Sequence, residues 1–120
     1  MANFLIVDDS RTSRRILRGI LEQAGYTVVG EATNGQEAYD KYVELQPDIV
    51  TMDITMPVLD GIGGLKKIKE VYPESKVVMV TAAGQKNKMV EAVQSGADEF
   101  IPKPFDGEQL VQTLAKVLEA

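Results

Sequence analysis

The chain has 120 residues, no cysteine, no histidine and a formal net charge of −5. A chain of this length is expected to form one domain and to bury roughly two-thirds of its unfolded surface. The missing residue types exclude disulfides, thiolate metal sites, imidazole catalysis and a phosphohistidine on this chain. The acidic balance argues against nucleic acid and anionic membranes as partners. With no basic N-terminal region and no apolar stretch near the ~18 residues that cross a bilayer, we expect a cytoplasmic protein.

The first third of the chain alternates between strand and helix signals. Residues 4–7 form an apolar run that predicts the first strand. Helical spacing of apolar residues then predicts a helix that ends at Gly25. Its expected buried face comprises Ile16, Leu17, Ile20, Leu21 and Ala24. Residues 27–31 predict a short second strand.

The middle of the chain continues the same alternation. Asn34 and Glu37 have the spacing of a capping box and predict a second helix that ends before Pro47. Residues 48–53 predict the third strand. Turn-forming residues at 56–61 then precede a third helix.

The last third supplies two more strands and two more helices. Residues 77–80 form an apolar run without alternation, which is typical of a central strand covered on both faces. Residues 86–95 predict a helix whose weak apolar stripe consists of Met89, Val90 and Val93. Residues 100–101 begin a short fifth strand, and Asp106 with Gln109 predicts the cap of a final helix. The inward face of that helix is expected to comprise Leu110, Val111, Leu114, Val117 and Leu118.

Five strands alternating with five helices predict an α/β fold. We expect the doubly wound, flavodoxin-like (βα)5 architecture, with a five-stranded parallel sheet in the order 2-1-3-4-5 and one domain over residues 1–120. In such sheets, ligands bind outside the carboxyl ends of the strands.

Polar residues follow four of the predicted strands at that edge. They are Asp8 and Asp9 after the first strand, Asp53 at the end of the third, Thr81 after the fourth and Lys103 after the fifth. The first and third strands are neighbours in the predicted order, so the three carboxylates are expected to converge. Two unit charges 4 Å apart repel by about 4 kcal/mol at an effective dielectric near 20. A few carboxylate oxygens, supplemented by water and a substrate phosphate, suit Mg²⁺ better than the larger cages of Ca²⁺.

Each of these residues also has a simpler explanation when taken alone. Acids at a strand end are often solvated or cap the next helix, Lys103 precedes a turn-forming proline, and Thr81 is an ordinary last residue of a strand. The ordered set at successive strand ends indicates phosphate chemistry. The lysine is a compact charge for a phosphoryl oxygen, and a cis Lys103–Pro104 bond would fix its direction.

Several short strings carry a resemblance to a known family. They are Leu5-Ile6-Val7-Asp8-Asp9, Asp53-Ile54-Thr55-Met56-Pro57, Asp60-Gly61, Val80-Thr81-Ala82, Gly96-Ala97 and Lys103-Pro104-Phe105. In this order, over about residues 3–118, they resemble the receiver domain of two-component response regulators, in particular the single-domain, CheY-like chemotaxis type.

The resemblance implies a role for each residue. Asp53 would accept a phosphoryl group from the phosphohistidine of a histidine kinase, with Lys103 binding the phosphoryl oxygens. Thr81 and Phe100 would form the switch, and Phe100 stands where many members have tyrosine. The implied Mg²⁺ ligands are Asp8, Asp9, Asp53 and the backbone carbonyl of Thr55. Thr55 and Ala83 would flank the phosphoryl group and tune its lifetime.

The resemblance also implies how the signal leaves the protein. The face formed by residues 86–95, the fifth strand and the last helix would bind a downstream protein, such as a flagellar motor switch. A phosphatase is a further candidate partner. The chain is expected to be a monomeric signalling protein, not an enzyme with external substrates, although it assists its own phosphorylation and dephosphorylation.

Four alternatives remain at this point. A nucleotide-binding flavodoxin-like module is disfavoured because no glycine-rich loop follows the first strand. A Mg²⁺-dependent phosphohydrolase usually has an acid two residues after its nucleophile, where this chain has Thr55. The third alternative is a receiver cut from a longer regulator, and the fourth is a phosphate sink in a relay.

Overall fold

A computed structural model describes residues 2–82 and 84–120 as strands and helices in alternation. The strands are β1 (Asn3–Val7), β2 (Thr27–Ala32), β3 (Ile49–Asp53), β4 (Val77–Thr81) and β5 (Glu99–Pro102). The helices are α1 (Arg11–Gln23), α2 (Gly35–Leu45), α3 (Gly61–Val71), α4 (Lys86–Gln94) and α5 (Gly107–Glu119). The predicted α/β alternation is therefore confirmed.

The five strands form one parallel sheet in the order β2-β1-β3-β4-β5, as predicted. The central strands β3 and β4 are buried at every position, because helices cover both faces of the sheet. The register places the ends of neighbouring strands side by side, for example Thr81 opposite Pro102 and Asp53 opposite Val80, the last residue but one of β4. This alignment brings the segments after β1, β3, β4 and β5 to one edge.

Two apolar layers hold the helices against the sheet. On one face α1 and α5 pack through Leu17, Leu21, Leu110, Leu114 and Val117. On the other face α2, α3 and α4 pack through Ala38, Tyr42, Ile62, Leu65, Ile68 and Ala92. Burial of side chains of this size stabilises a domain by roughly 1.5–3 kcal/mol each before the cost of chain ordering is subtracted.

Two predicted apolar faces were partly wrong. Ile16 of α1 is 53% exposed, whereas Leu17 is buried. In α4, Val90 and Val93 are each 58% exposed, and Ala92 is the residue that packs fully against the sheet. A helix that lies on a sheet buries a narrow stripe, so residues one position round from it remain in solvent.

The helix caps differ in detail from the predicted boxes. Asn34 caps α2 by accepting a 2.9 Å hydrogen bond from the Glu37 N–H. The Glu37 carboxylate accepts from the N–H of the residue before Asn34, at 2.8 Å. Asp106 accepts from the Glu108 N–H at 2.9 Å, so its predicted pairing with Gln109 was wrong.

Among the residues described, no helix is both long and apolar enough to span a bilayer.

Candidate functional site

Three carboxylates meet at the carboxyl edge of the sheet. One oxygen each of Asp8, Asp9 and Asp53 lies within 4.8 Å of the others. Asp8 and Asp53 are buried, and Asp9 is exposed. The cause is strand adjacency: β1 pairs with β3 up to Val7 opposite Met52, so the next residue of each strand emerges at the same level.

Lys103 reaches into this cluster from the segment after β5. Its Nζ lies 3.0 Å from Asp8 Oδ2 and 3.3 Å from Asp53 Oδ2. Its backbone N–H donates to the Thr81 carbonyl at 2.7 Å, which continues the pairing of β4 with β5. The Lys103–Pro104 peptide bond is cis. The ammonium group therefore offsets part of the repulsion between the two buried acids.

The pKa values of Asp53 and Lys103 are both raised, but for different reasons. Burial raises the pKa of Asp53, and the nearby Asp8 adds to this effect, while Lys103 opposes it without cancelling it. Burial on its own would lower the pKa of Lys103. Its hydrogen bonds and charge interactions with Asp8 and Asp53 outweigh that effect, so the net shift is upward.

The position of Asp8 is fixed by residues that the sequence did not reveal as part of the site. The Ser10 N–H donates to Asp8 Oδ1 at 2.8 Å. Arg14 Nη1 donates to the Asp8 backbone carbonyl at 2.7 Å, while its Nε pairs with Glu31 at 2.8 Å. Burial alone would raise the pKa of Glu31, but Arg14 and Arg18 lower it overall. No sequence motif predicts the pair of Arg14 and Glu31, because the two residues lie on different elements, α1 and β2.

Asp53 is held from the opposite side by the loop between β3 and α3. Its Oδ1 accepts a 2.8 Å hydrogen bond from the Ile54 N–H. Gly61 closes the loop by donating its N–H to the Ile54 carbonyl at 2.7 Å. A Cβ at Gly61 would lie 1.9 Å from the Asp53 carbonyl oxygen, so only glycine allows this approach. The Asp60-Gly61 pair, which the sequence predicts to be part of a turn, thus helps to position Asp53.

A second contact joins the loops on either side of the site. Gln85, the residue before α4, accepts a 2.9 Å hydrogen bond from the Ala82 N–H. Its amide nitrogen donates to the Thr55 hydroxyl. Thr55 itself is exposed. Ala83, expected to flank the phosphoryl group with Thr55, lies outside the described residues.

Thr81 and Phe100 lie on the same face of the sheet. Phe100 pairs with Met79, and Thr81 lies two residues further along β4, where side chains return to that face. Thr81 is 3% exposed, and Phe100 is half-buried against the core beneath α4. Their placement allows the two side chains to influence each other across neighbouring strands.

The charges of the cluster fit a divalent cation. Three carboxylates against one ammonium leave an excess of negative charge at the edge of the sheet. The donors of the cluster are all carboxylate oxygen atoms, which Mg²⁺ prefers. A cation here has room for substrate oxygens, because Asp9 and Thr55 are exposed.

Comparison with known proteins identifies the family. Residues 4–115 match the response regulator receiver domain. The chain belongs to the response regulator receiver domain family. Receivers bind Mg²⁺ at an acidic pocket, and the cluster of Asp8, Asp9 and Asp53 forms such a pocket here.

The receiver has relatives over nearly its whole length. It is 50% identical over 113 residues to the chemotaxis protein CheY of Thermotoga maritima, with 94% of each chain covered. It is 45% identical over 114 residues to CheY of Bacillus subtilis, with 95% of each covered.

Solved structures agree with this assignment. The receiver aligns with a CheX–CheY–BeF3–Mg²⁺ complex from Borrelia burgdorferi with a TM-score of 0.92 and 37% identity, covering 97% of this chain and 88% of that one. It aligns with the response regulator domain of Thermotoga maritima CheB with a TM-score of 0.91 and 34% identity, covering 100% and 98%. The receiver is thus a phosphorylation-dependent signalling switch of the two-component type. The nucleotide-binding module and the phosphohydrolase are set aside.

Proposed function

We propose that residues 1–120 form one receiver domain that acts as a cytoplasmic chemotaxis regulator and is phosphorylated on Asp53 by a histidine kinase. The observation that carries the proposal is the convergence of Asp8, Asp9 and Asp53 within 4.8 Å, with Lys103 bonded to two of them. The CheY relatives support the chemotaxis assignment.

The chemistry requires no base on this chain. An oxygen of the Asp53 carboxylate attacks the phosphorus in line, the P–N bond to the donor imidazole breaks, and the imidazole, already protonated on its other nitrogen, leaves as the neutral ring. Lys103 already contacts Asp53 Oδ2, so its ammonium is within reach of an oxygen of the transferred group. Attack of water on the same phosphorus later regenerates the carboxylate and releases inorganic phosphate.

Asp8, Asp9, Asp53 and the backbone carbonyl of Thr55 are the residues that would hold Mg²⁺. The ion supplies positive charge next to the oxygens of the transferred group. Arg14 and Ser10 keep Asp8 in place through its carbonyl and carboxylate oxygens. Ile54 holds one Asp53 oxygen and leaves the Lys103-facing oxygen for esterification.

The kinase has an exposed apolar surface to approach. Ile16 on α1 lines a groove with Pro104 and Phe105 that reaches Lys103 at the site. We propose that a protein donor covers this groove when it brings a phosphohistidine to Asp53, because the groove reaches Lys103. Apolar contact there would stabilise the encounter, whereas a small phosphodonor would not need it.

The signal would leave through α4, β5 and α5. A phosphoryl group adds about −1.5 to −2 charges. We propose that Thr81 moves toward it and that Phe100 moves into the space that Thr81 vacates. Val90 and Val93 are exposed on α4 and offer apolar area to a downstream protein such as a flagellar motor switch. The CheX complex of the Borrelia burgdorferi relative supports a second partner, for which we propose a phosphatase.

The free energy that one hydrogen bond supplies limits how far phosphorylation can shift the conformational equilibrium. A change from 1:99 to 99:1 requires about 5.5 kcal/mol of differential stabilisation. One neutral hydrogen bond contributes about 0.5–1.5 kcal/mol. Phosphorylation alone is therefore expected to shift the population partly, and the partner completes the change.

One incubation tests the proposed phosphorylation. The receiver is mixed with acetyl phosphate or phosphoramidate and Mg²⁺, and its intact mass is followed over time. We expect a gain of one phosphoryl group that disappears without Mg²⁺ and in Asp53→Asn. Multiple turnovers of a phosphomonoester, or no mass gain in the wild type, would contradict the proposal.

A further inference from the structure

The Gln85 side chain bridges the two loops that border the phosphorylation site. Its carboxamide accepts from the Ala82 N–H at 2.9 Å and donates to the Thr55 hydroxyl. A backbone N–H only donates, so the atom facing Ala82 is the carboxamide oxygen. Among the described residues, Gln85 makes this bridge instead of capping its own helix, α4.

The direction of the Ala82 N–H follows from strand pairing. The Thr81 carbonyl points toward β5, where it accepts from the Lys103 N–H at 2.7 Å. The two polar groups of a trans peptide point in opposite directions. The N–H of the Thr81–Ala82 peptide therefore points toward β3, the strand that ends in Asp53.

We infer that the Gln85 carboxamide oxygen occupies the Ala82 N–H in place of a phosphoryl oxygen, and that this bridge must open when Asp53 is phosphorylated. The inference rests on the proposed function and adds a positioning residue to it. A phosphoryl group on Asp53 places new oxygens beside Thr81 and Ala82. The Ala82 N–H then exchanges an uncharged acceptor for an anionic one, which makes the stronger hydrogen bond.

Opening the bridge also links the site to α4. Gln85 immediately precedes Lys86, the first residue of that helix. When its oxygen loses Ala82, the link between the two loops is broken, and only the bond from the amide nitrogen to the Thr55 hydroxyl remains. The first turn of α4 is then free to move with Gln85, so one side chain reports phosphorylation to the proposed output face.

The bridge makes a measurable prediction for binding of a phosphoryl mimic. Beryllofluoride with Mg²⁺ is titrated into ¹⁵N-labelled receiver and followed by NMR, with the Ala82 amide as the reporter. Gln85→Ala removes the competing acceptor, so beryllofluoride should bind about fivefold more tightly, the equivalent of one neutral hydrogen bond. Gln94→Ala, an exposed glutamine at the other end of α4, is the matched control and should leave the affinity unchanged.

Hydrogen exchange of the Ala82 amide, compared between the free protein and the beryllofluoride complex, shows whether the mimic replaces the Gln85 carboxamide. In the free wild type the Ala82 amide should be protected, and in free Gln85→Ala it should exchange faster. In the beryllofluoride complexes both proteins should protect it equally, because the mimic has replaced the carboxamide. Equal affinity of Gln85→Ala and wild type, or equal Ala82 exchange in the two free proteins, would overturn the inference. Failure of the wild type to bind beryllofluoride at all would instead overturn the proposed function.

Discussion

Lys103 Nζ lies 3.3 Å from Asp53 Oδ2, although 50 positions separate the two residues along the chain. The same ammonium lies 3.0 Å from Asp8 Oδ2. Lys103 therefore performs a structural task before any phosphoryl group arrives, since it offsets the repulsion between two buried carboxylates. Its positive charge also competes with that of a metal ion for the same carboxylates.

Replacing Lys103 should separate metal binding from phosphorylation. In Lys103→Met the alkyl stem remains but the charge is lost, so Mg²⁺ should bind roughly three- to tenfold more tightly. Phosphorylation by acetyl phosphate should become at least about tenfold slower, because the negative charge on the transferring phosphoryl oxygens loses its lysine. Titration calorimetry measures the first effect and intact mass the second. Weaker Mg²⁺ binding in Lys103→Met would contradict the competition described above.

Asp53→Asn should stabilise the metal-free protein near neutral pH. The raised pKa of Asp53 means that its charged form destabilises the folded state as pH rises above the value of the unfolded chain. The melting temperature of Asp53→Asn at pH 7 should thus exceed that of the wild type by a few degrees, and the difference should vanish below about pH 3, where Asp53 is protonated in both the folded and the unfolded state. Lys103 keeps Asp8 as a partner in this variant.

Glu44→Gln is the control for net charge, because Glu44 is exposed on α2. It changes the formal charge by the same amount and should not reproduce the gain. A pH-independent gain in Asp53→Asn would show that burial of the charge is not its cause.

Arg14 should act on metal binding without touching the metal. It holds the Asp8 carbonyl at 2.7 Å, so Arg14→Ala should weaken Mg²⁺ binding about tenfold, as loss of an outer-shell contact commonly does. Arg18→Ala is the matched control, since Arg18 shares the Glu31 partner but makes no such bond to Asp8 among the described contacts. Titration calorimetry of both variants checks the difference. An equal loss in both would assign the effect to the Glu31 cluster as a whole.

Two glycine substitutions should change stability in opposite directions. In Gly61→Ala a Cβ would lie 1.9 Å from the Asp53 carbonyl oxygen, so we expect a loss of more than about 2 kcal/mol and a displaced Asp53. Gly19→Ala meets nothing within 4 Å inside α1, and it should gain about 0.5–1 kcal/mol from reduced backbone entropy. Urea denaturation measures both values. A neutral Gly61→Ala would contradict the close approach.

Ile16 should affect the rate of phosphotransfer from a protein donor but not from a small phosphodonor. Ile16→Ser removes apolar area beside Lys103, so phosphotransfer from the cognate histidine kinase should slow about tenfold, as truncation at a hot spot commonly does. Phosphorylation by acetyl phosphate should keep its rate. Val43→Ser, on the exposed side of α2, is the control and should leave both rates unchanged. Equal slowing with both donors would locate the effect of Ile16 in the site itself.

The apolar runs and their turn residues were sufficient to predict the five strands and a common edge for Asp8, Asp9, Asp53, Thr81 and Lys103, whereas the order of the strands was taken from the flavodoxin-like fold. This is so because a strand covered on both faces has to be apolar along its length, and parallel strands end at a common edge. The roles of Thr81 and Phe100 in switching still rest on the family resemblance.

The contacts between distant side chains, and the exposure of residues on the helices, were decided only by the tertiary structure. The bond from Arg14 to the Asp8 carbonyl, the Gln85 bridge and the exposure of Ile16, Val90 and Val93 all depend on how helices sit on the sheet. A sequence pattern specifies which face of an element is apolar. It does not specify which distant side chain reaches that element, because such contacts arise only after the sheet has formed.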